Sequence, residues 1–91
     1  MSWKSHLDYK LLFDEKVKKD LKNIDRYWQK SILSNIKEKL VEDPYVGKKL
    51  VGDLSAFYRL RVGEYRVIYE IVEDEILITV IKIKHRKEAY R

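Results

Sequence analysis

The sequence predicts an α+β fold of two layers, a helical hairpin packed on one face of a mainly antiparallel sheet, in the order β-α-α-β-β-β. Two observations predict it. Apolar residues recur at helical spacing between residues 14 and 42, and they alternate with polar residues between 56 and 84. With 91 residues the chain suffices for one domain with a modest core, so residues 1–91 are read as a single unit.

The first element is a short strand over residues 7–13, LDYKLLF, with Leu7, Tyr9, Leu11 and Phe13 on one face. Asp14 has the chemistry of a helix N-cap, and Val17, Leu21 and Ile24 follow at helical spacing among lysines. Asp25 caps a second helix, whose Trp28, Ile32, Ile36 and Leu40 recur every four residues. Pro44 stops it, because the residue before proline avoids helical geometry. The near-absence of a loop between the helices predicts a helical hairpin. Residues 45–55 read as a connection. Three strands follow at about 56–62, 65–72 and 75–84, joined by tight turns at Gly63-Glu64 and Glu73-Asp74.

Glycine at the first turn position suits a type II′ hairpin. That register pairs Val62 with Tyr65 and Arg61 with Arg66. It sends Tyr58, Leu60, Val62, Val67 and Tyr69 towards the helices, and Phe57, Arg59, Arg61, Arg66 and Ile68 away from them. Two like charges directly opposite each other destabilise a sheet. Either acidic neighbours such as Glu64 and Glu70 neutralise them, or a bound polyanion turns the repulsion into attraction.

The net charge of +5 fits a polyanionic or acidic partner. Its distribution is more telling. Arg26 is the only arginine before residue 59, and Arg59, Arg61, Arg66, Arg86 and Arg91 follow. Lysine suits a solvated helix surface, whereas arginine suits bidentate binding of phosphate. The final segment, KIKHRKEAYR, adds Lys82, Lys84, His85 and Tyr90. Histidine transfers protons near neutral pH, and tyrosine can stack on a base or move a proton. A tail folded back beside Arg61 and Arg66 would assemble a ribonuclease-like set without a metal; a solvated basic tail is the plainer alternative. With no cysteine and two histidines, a dedicated zinc site, a disulfide and a thiolate nucleophile are not expected. No apolar run reaches the length of a membrane span and the N-terminus lacks a secretory signal's apolar centre, so a cytoplasmic protein is expected.

Three segments, YKLLFDEKVKKDLKNI, KKLVGDLSAFYRLRVGEYRVIYEI and IKIKHRKEAYR, resemble the RelE side of the RelE/ParE toxin superfamily, from Tyr9 to Arg91. The resemblance implies the toxin of a type II toxin–antitoxin pair, a ribosome-dependent endoribonuclease that cuts mRNA in the ribosomal A site. The ribose 2′-OH attacks the adjacent phosphate, and no metal or other cofactor is used. By position, the resemblance implies that Arg66 holds the scissile phosphate. Arg86 stabilises the transition state, and Tyr90 stacks on the base or moves protons. His85 is a further acid–base candidate, with Glu64 or Glu70 behind it. Arg59, Arg61, Lys82 and Lys84 are expected to bind RNA phosphates. The implied partners are the ribosome, mRNA and a RelB-like antitoxin with an acidic, amphipathic segment; Trp3, Tyr27 and Trp28 are candidate anchors for it, although Trp28 fits the core better. The alternatives are a ParE-like poison of DNA gyrase and an inactive relic of the same fold.

Overall fold

The computed structural model describes residues 9–52 and 56–89. Strand β1 (Lys10–Phe13) leads into helix α1 (Glu15–Lys22) and helix α2 (Arg26–Asn35). Both predicted caps form. The Asp14 carboxylate accepts from Lys16 N–H at 2.9 Å, and the Asp25 carboxylate accepts from Tyr27 N–H at 3.0 Å. Gln29 explains how the helices join so abruptly. Its side-chain amide donates to the carbonyls of Leu21 (2.6 Å) and Ile24 (2.8 Å), one in the last turn of α1 and one just beyond it, and so ties the connection to α2.

Helix α2 passes into a π-helical turn, Ile36–Leu40, which the sequence did not announce. Four residues rotate an α-helix by about 400°, so a stripe spaced by four drifts about 40° per step. A π turn, with its i→i+5 hydrogen bonds, rotates less per residue and swings the stripe back. Ile32, Ile36 and Leu40 are all fully buried as a result.

The sheet has five strands in the order β1-β5-β4-β3-β2. Strands β3 (Phe57–Val62), β4 (Tyr65–Val72) and β5 (Leu77–His85) form the predicted antiparallel meander, and β1 lies parallel to β5 at one edge. The other edge holds β2 (Lys48–Lys49), within the segment read as a connection; it pairs Lys48 with Arg59 and Lys49 with Tyr58. The hairpin register is the expected one, Val62 opposite Tyr65 and Arg61 opposite Arg66. Gly63 has φ +59° and Glu64 keeps a negative φ, the type II′ pattern.

Two departures shape β5. Its start shifts from residue 75 to Leu77, because Glu73–Glu75 form a 3-10 turn and Ile76 takes a left-handed φ of 50°. A β-branched residue rarely adopts that conformation. Here the Ile76 carbonyl accepts from Lys10 N–H at 2.9 Å and so ties β1 to the turn. A bulge then interrupts the pairing of β4 with β5. Ile68 faces Lys82 while Tyr69 faces Val80, which leaves Ile81 as the extra residue.

The core lies between the helices and one sheet face. Val17, Ile32, Ile36 and Leu40 meet Leu60, Val62, Val67, Tyr69, Ile78, Val80 and Ile83. Tyr69 is fully buried, and its hydroxyl donates to the Pro44 carbonyl at 2.7 Å and accepts from Gly47 N–H at 3.1 Å. A Cβ on Gly47 would run into that hydroxyl and into the Arg59 carbonyl oxygen, 2.6 Å away. The tyrosine thus clamps the segment leading into β2 onto the sheet. Burial pushes its pKa up to about 12.

Tyr69→Phe is expected to cost about 1–3 kcal/mol, because it leaves two backbone groups unpaired. The fold favours the neutral phenol, so its contribution is full below the ordinary tyrosine value of 10.0 and is lost as pH rises through about 12. Chemical denaturation at a series of pH values checks both points. The stability gap between wild type and Tyr69→Phe should be constant below pH 10.0 and narrow above it.

Candidate functional site

The helices cover one face of the sheet, and the other face carries cations in two cross-strand rows. The first row is Arg61, Arg66 and Lys84. The second is Lys48, Arg59, Ile68 and Lys82. Lys48 joins through β2, and the two-residue length of that strand hid it from sequence reasoning. Facing residues within a row have Cβ atoms about 5 Å apart, and the rows lie about 7 Å apart along the strands. Arg61 and Lys82 are exposed, while Arg59, Arg66 and Lys84 are half-buried.

Most of the cations in these rows have no direct acidic partner among the described residues. Among the described residues, no ion pair joins a carboxylate to Arg59, Arg61, Lys82 or Lys84. Glu70 stands one row further on, between Phe57 and Thr79. Glu64 points its carboxylate at His85, with Oε1 3.6 Å from Nε2. Beside the cations stands the bulge residue Ile81, which is half-buried. It lines a shallow depression of about 210 Å³ with Leu50, Phe57 and Ile68, rimmed by Lys82 and Lys84. The open face therefore offers positive charge next to an apolar floor, which suits a chain of phosphates carrying planar bases.

The start of the tail is fixed to the hairpin. Arg86 N–H donates to the Glu64 carbonyl at 2.6 Å, where the chain turns from β5 into a short helix α3 (Arg86–Ala89). Arg86, which is exposed, is thereby held at the turn that sets Arg61 against Arg66. Tyr90 lies outside the described residues, as does Trp3. Trp28 is half-buried over Gly63 and against Tyr65, at 5.9 Å between rings, in keeping with the core reading, and Tyr27 remains 68% exposed.

His85 does not join the arginines. It pairs with Tyr65 in the row that continues Val62 towards the helix side, and its ring meets Tyr65 edge-on at 5.0 Å. The strand period held this information, since His85 shares parity with buried Ile83. Among the described residues no three His, Cys, Asp or Glu side chains group as metal ligands, and no helix is long and apolar enough to cross a membrane.

Residues 11–90 match the family described as the ParE toxin of type II toxin–antitoxin system, parDE. Toxin RelE3 of Methanocaldococcus jannaschii is 32% identical over 85 residues, which span 89% of this chain and 94% of that protein. The chain belongs to the RelE/ParE toxin superfamily. Within it the resemblance runs to RelE-named members. Toxin RelG of Mycobacterium tuberculosis is 33% identical over 46 residues, which span 50% of this chain and 53% of RelG. The fold agrees as well. The toxin–antitoxin complex RelBE2 of Mycobacterium tuberculosis superposes with a TM-score of 0.83 at 23% identity, covering 90% of this chain and 95% of that one. The chain is thus a RelE-family toxin of the type II class.

The like-charge pair at the heart of this toxin's open face has a measurable signature. Arg61→Gln removes one of two facing cations, so the free protein should gain roughly 0.2–1 kcal/mol at low salt. The gain should shrink as salt screens the repulsion. Thermal unfolding at low and high ionic strength checks this.

Proposed function

We propose that the chain is a ribosome-dependent endoribonuclease that cuts mRNA in the ribosomal A site. One observation carries this reading: Arg61, Arg66 and Lys84 form a row without helix cover, and the backbone of Arg86 is fastened to the hairpin at the end of that row. Facing arginines suit bidentate phosphate binding, which favours this reading over that of a gyrase poison.

In the proposed reaction the 2′-OH oxygen of one nucleotide attacks the adjacent phosphorus and the bond to the 5′ oxygen breaks. A 2′,3′-cyclic phosphate and a 5′-hydroxyl result. The attacking hydroxyl loses a proton and the leaving oxygen gains one. Negative charge builds on the non-bridging oxygens, and fixed guanidinium groups stabilise it without rearranging. Arg66 holds the scissile phosphate, and Arg86 neutralises the charge that develops. Tyr90 stacks on the base or moves a proton. Arg59, Arg61, Lys82 and Lys84 carry the flanking phosphates. Arginine stays protonated in proteins, so neither Arg59 nor Arg61 is the base. The charge set supplies what a metal would otherwise supply.

The partner is an antitoxin, as in the RelBE2 toxin–antitoxin complex to which the fold is similar. Acidic side chains of an amphipathic segment would cover the arginine rows. Apolar ones would fill the depression at Phe57, Ile68 and Ile81 and the grooves beside the helices. A toxin of translating ribosomes works in the cytoplasm.

Primer extension on ribosomes stalled on a defined mRNA tests the reading. The wild-type chain should produce a cut within the A-site codon. Arg66→Ala and Arg86→Ala should each lower the cleavage rate by about 100-fold or more. Growth arrest without a cut, unchanged in both variants, would replace this reading with the gyrase one.

A further inference from the structure

The contacts of His85 are those of a cap. Its Nδ1 accepts from Lys87 N–H at 3.1 Å, the bond by which an N-cap side chain satisfies the second residue of a helix. Arg86 lies between the two bonded residues, and its own N–H is taken by the Glu64 carbonyl. The His85 ring is held by Tyr65, edge-on, and by Glu64, which faces Nε2 at 3.6 Å. Two backbone N–H groups in succession are therefore fixed, one by the hairpin turn and one by the imidazole. Between them they set the direction in which the chain leaves the sheet.

We propose that His85 is a positioning residue, which orients Arg86 and the tail by capping α3 through an unprotonated Nδ1. The effect on cleavage rests on the nuclease reading; the cap itself does not. A lone pair on Nδ1 is required, so the device is sensitive to pH. A proton on Nδ1 sets N–H against N–H, removes the Lys87 bond and frees the first turn. Charged and titratable groups among the described residues around the ring include Glu64 in the hairpin turn, Tyr65 in β4, and Asp20 at the end of α1. Asp20 lines the same 310 Å³ cavity with Asn23, Ile24 and Ile83. Arg86 and Lys87 follow in the chain. A proton shuttle to RNA on the arginine face would need the ring on the opposite side of the sheet.

Nitrogen NMR of the free protein, with Lys87 amide exchange, tests the cap in the absence of RNA. As pH is lowered until the ring nitrogen signals report a proton on both nitrogens, wild type should lose Lys87 protection. His85→Ala should lower that protection about five-fold at every pH. His85→Asn, a good N-cap that does not titrate, should keep it throughout. Cleavage on stalled ribosomes should follow the same order, with the acid fall of the pH profile flattened in His85→Asn. A Lys87 amide indifferent both to pH and to His85→Ala would overturn the proposal, whatever the cleavage assay shows. It would also be overturned if His85→Asn kept the amide protected yet cut as poorly as His85→Ala, since the ring would then be moving protons. If wild type itself cuts nothing, the nuclease reading fails, and the amide data alone decide for or against the cap.

Discussion

The Gly63-Glu64 turn fixes the rest of the structure. Its positive φ at Gly63 closes a two-residue hairpin, and the closure sets the register of β3 against β4. Side chains alternate with a period of two, so a slip of one residue would exchange the two faces. In the observed register every buried residue of the meander faces the helices, and the cations of β3 and β4 face away from them. The turn also receives the tail, through the bond from Arg86 N–H to the Glu64 carbonyl. Trp28 packs directly over Gly63, where any Cβ would strike the indole ring. One glycine thereby links the helical layer, the strand register and the basic face.

The two faces answer to different demands. The inner one is apolar and closes around Tyr69, whose hydroxyl has both a donor and an acceptor to meet. The outer one sets like charges opposite each other and exposes an apolar floor beside them. Under the proposed function both serve a ligand that is itself charged and planar, and the same surface then suits an acidic, amphipathic inhibitor. On that proposal, this RelE-family toxin is held together by one side of its sheet and acts with the other.

Much of this was legible in the sequence. The caps at Asp14 and Asp25, the hairpin register and the arginine face follow from side-chain chemistry and a period of two. What was not legible depends on distant partners. Strand β2 is only Lys48–Lys49 and owes its existence to Arg59 and Tyr58 across from it. The bulge at Ile81 arises where β5 fits between β4 and β1, so no local signal marks it. Ile76 in a left-handed conformation runs against its own preference, so the sequence alone points to a start of β5 at residue 75 rather than at Leu77. His85 was grouped with the arginines by its place in a basic run, although counting by twos from Ile83 puts it on the core side. Its role came from contacts that only the folded chain brings together, with Glu64, Tyr65 and Lys87. Tyr90 falls outside the described residues, and its part in the site stays with the proposal.

The central claim is that phosphates bind across the helix-free face of the sheet. The most direct measurement is a titration of the labelled protein with a short single-stranded RNA at low salt, read as residue-by-residue NMR shifts. The account predicts that the changes concentrate on Arg61, Arg66 and Lys84, on Lys48, Arg59, Ile68 and Lys82, and on Arg86. It also predicts that binding weakens steeply as salt is raised. Shifts confined to α1, α2 and the exposed ring of Tyr27, with the two rows silent, would contradict it.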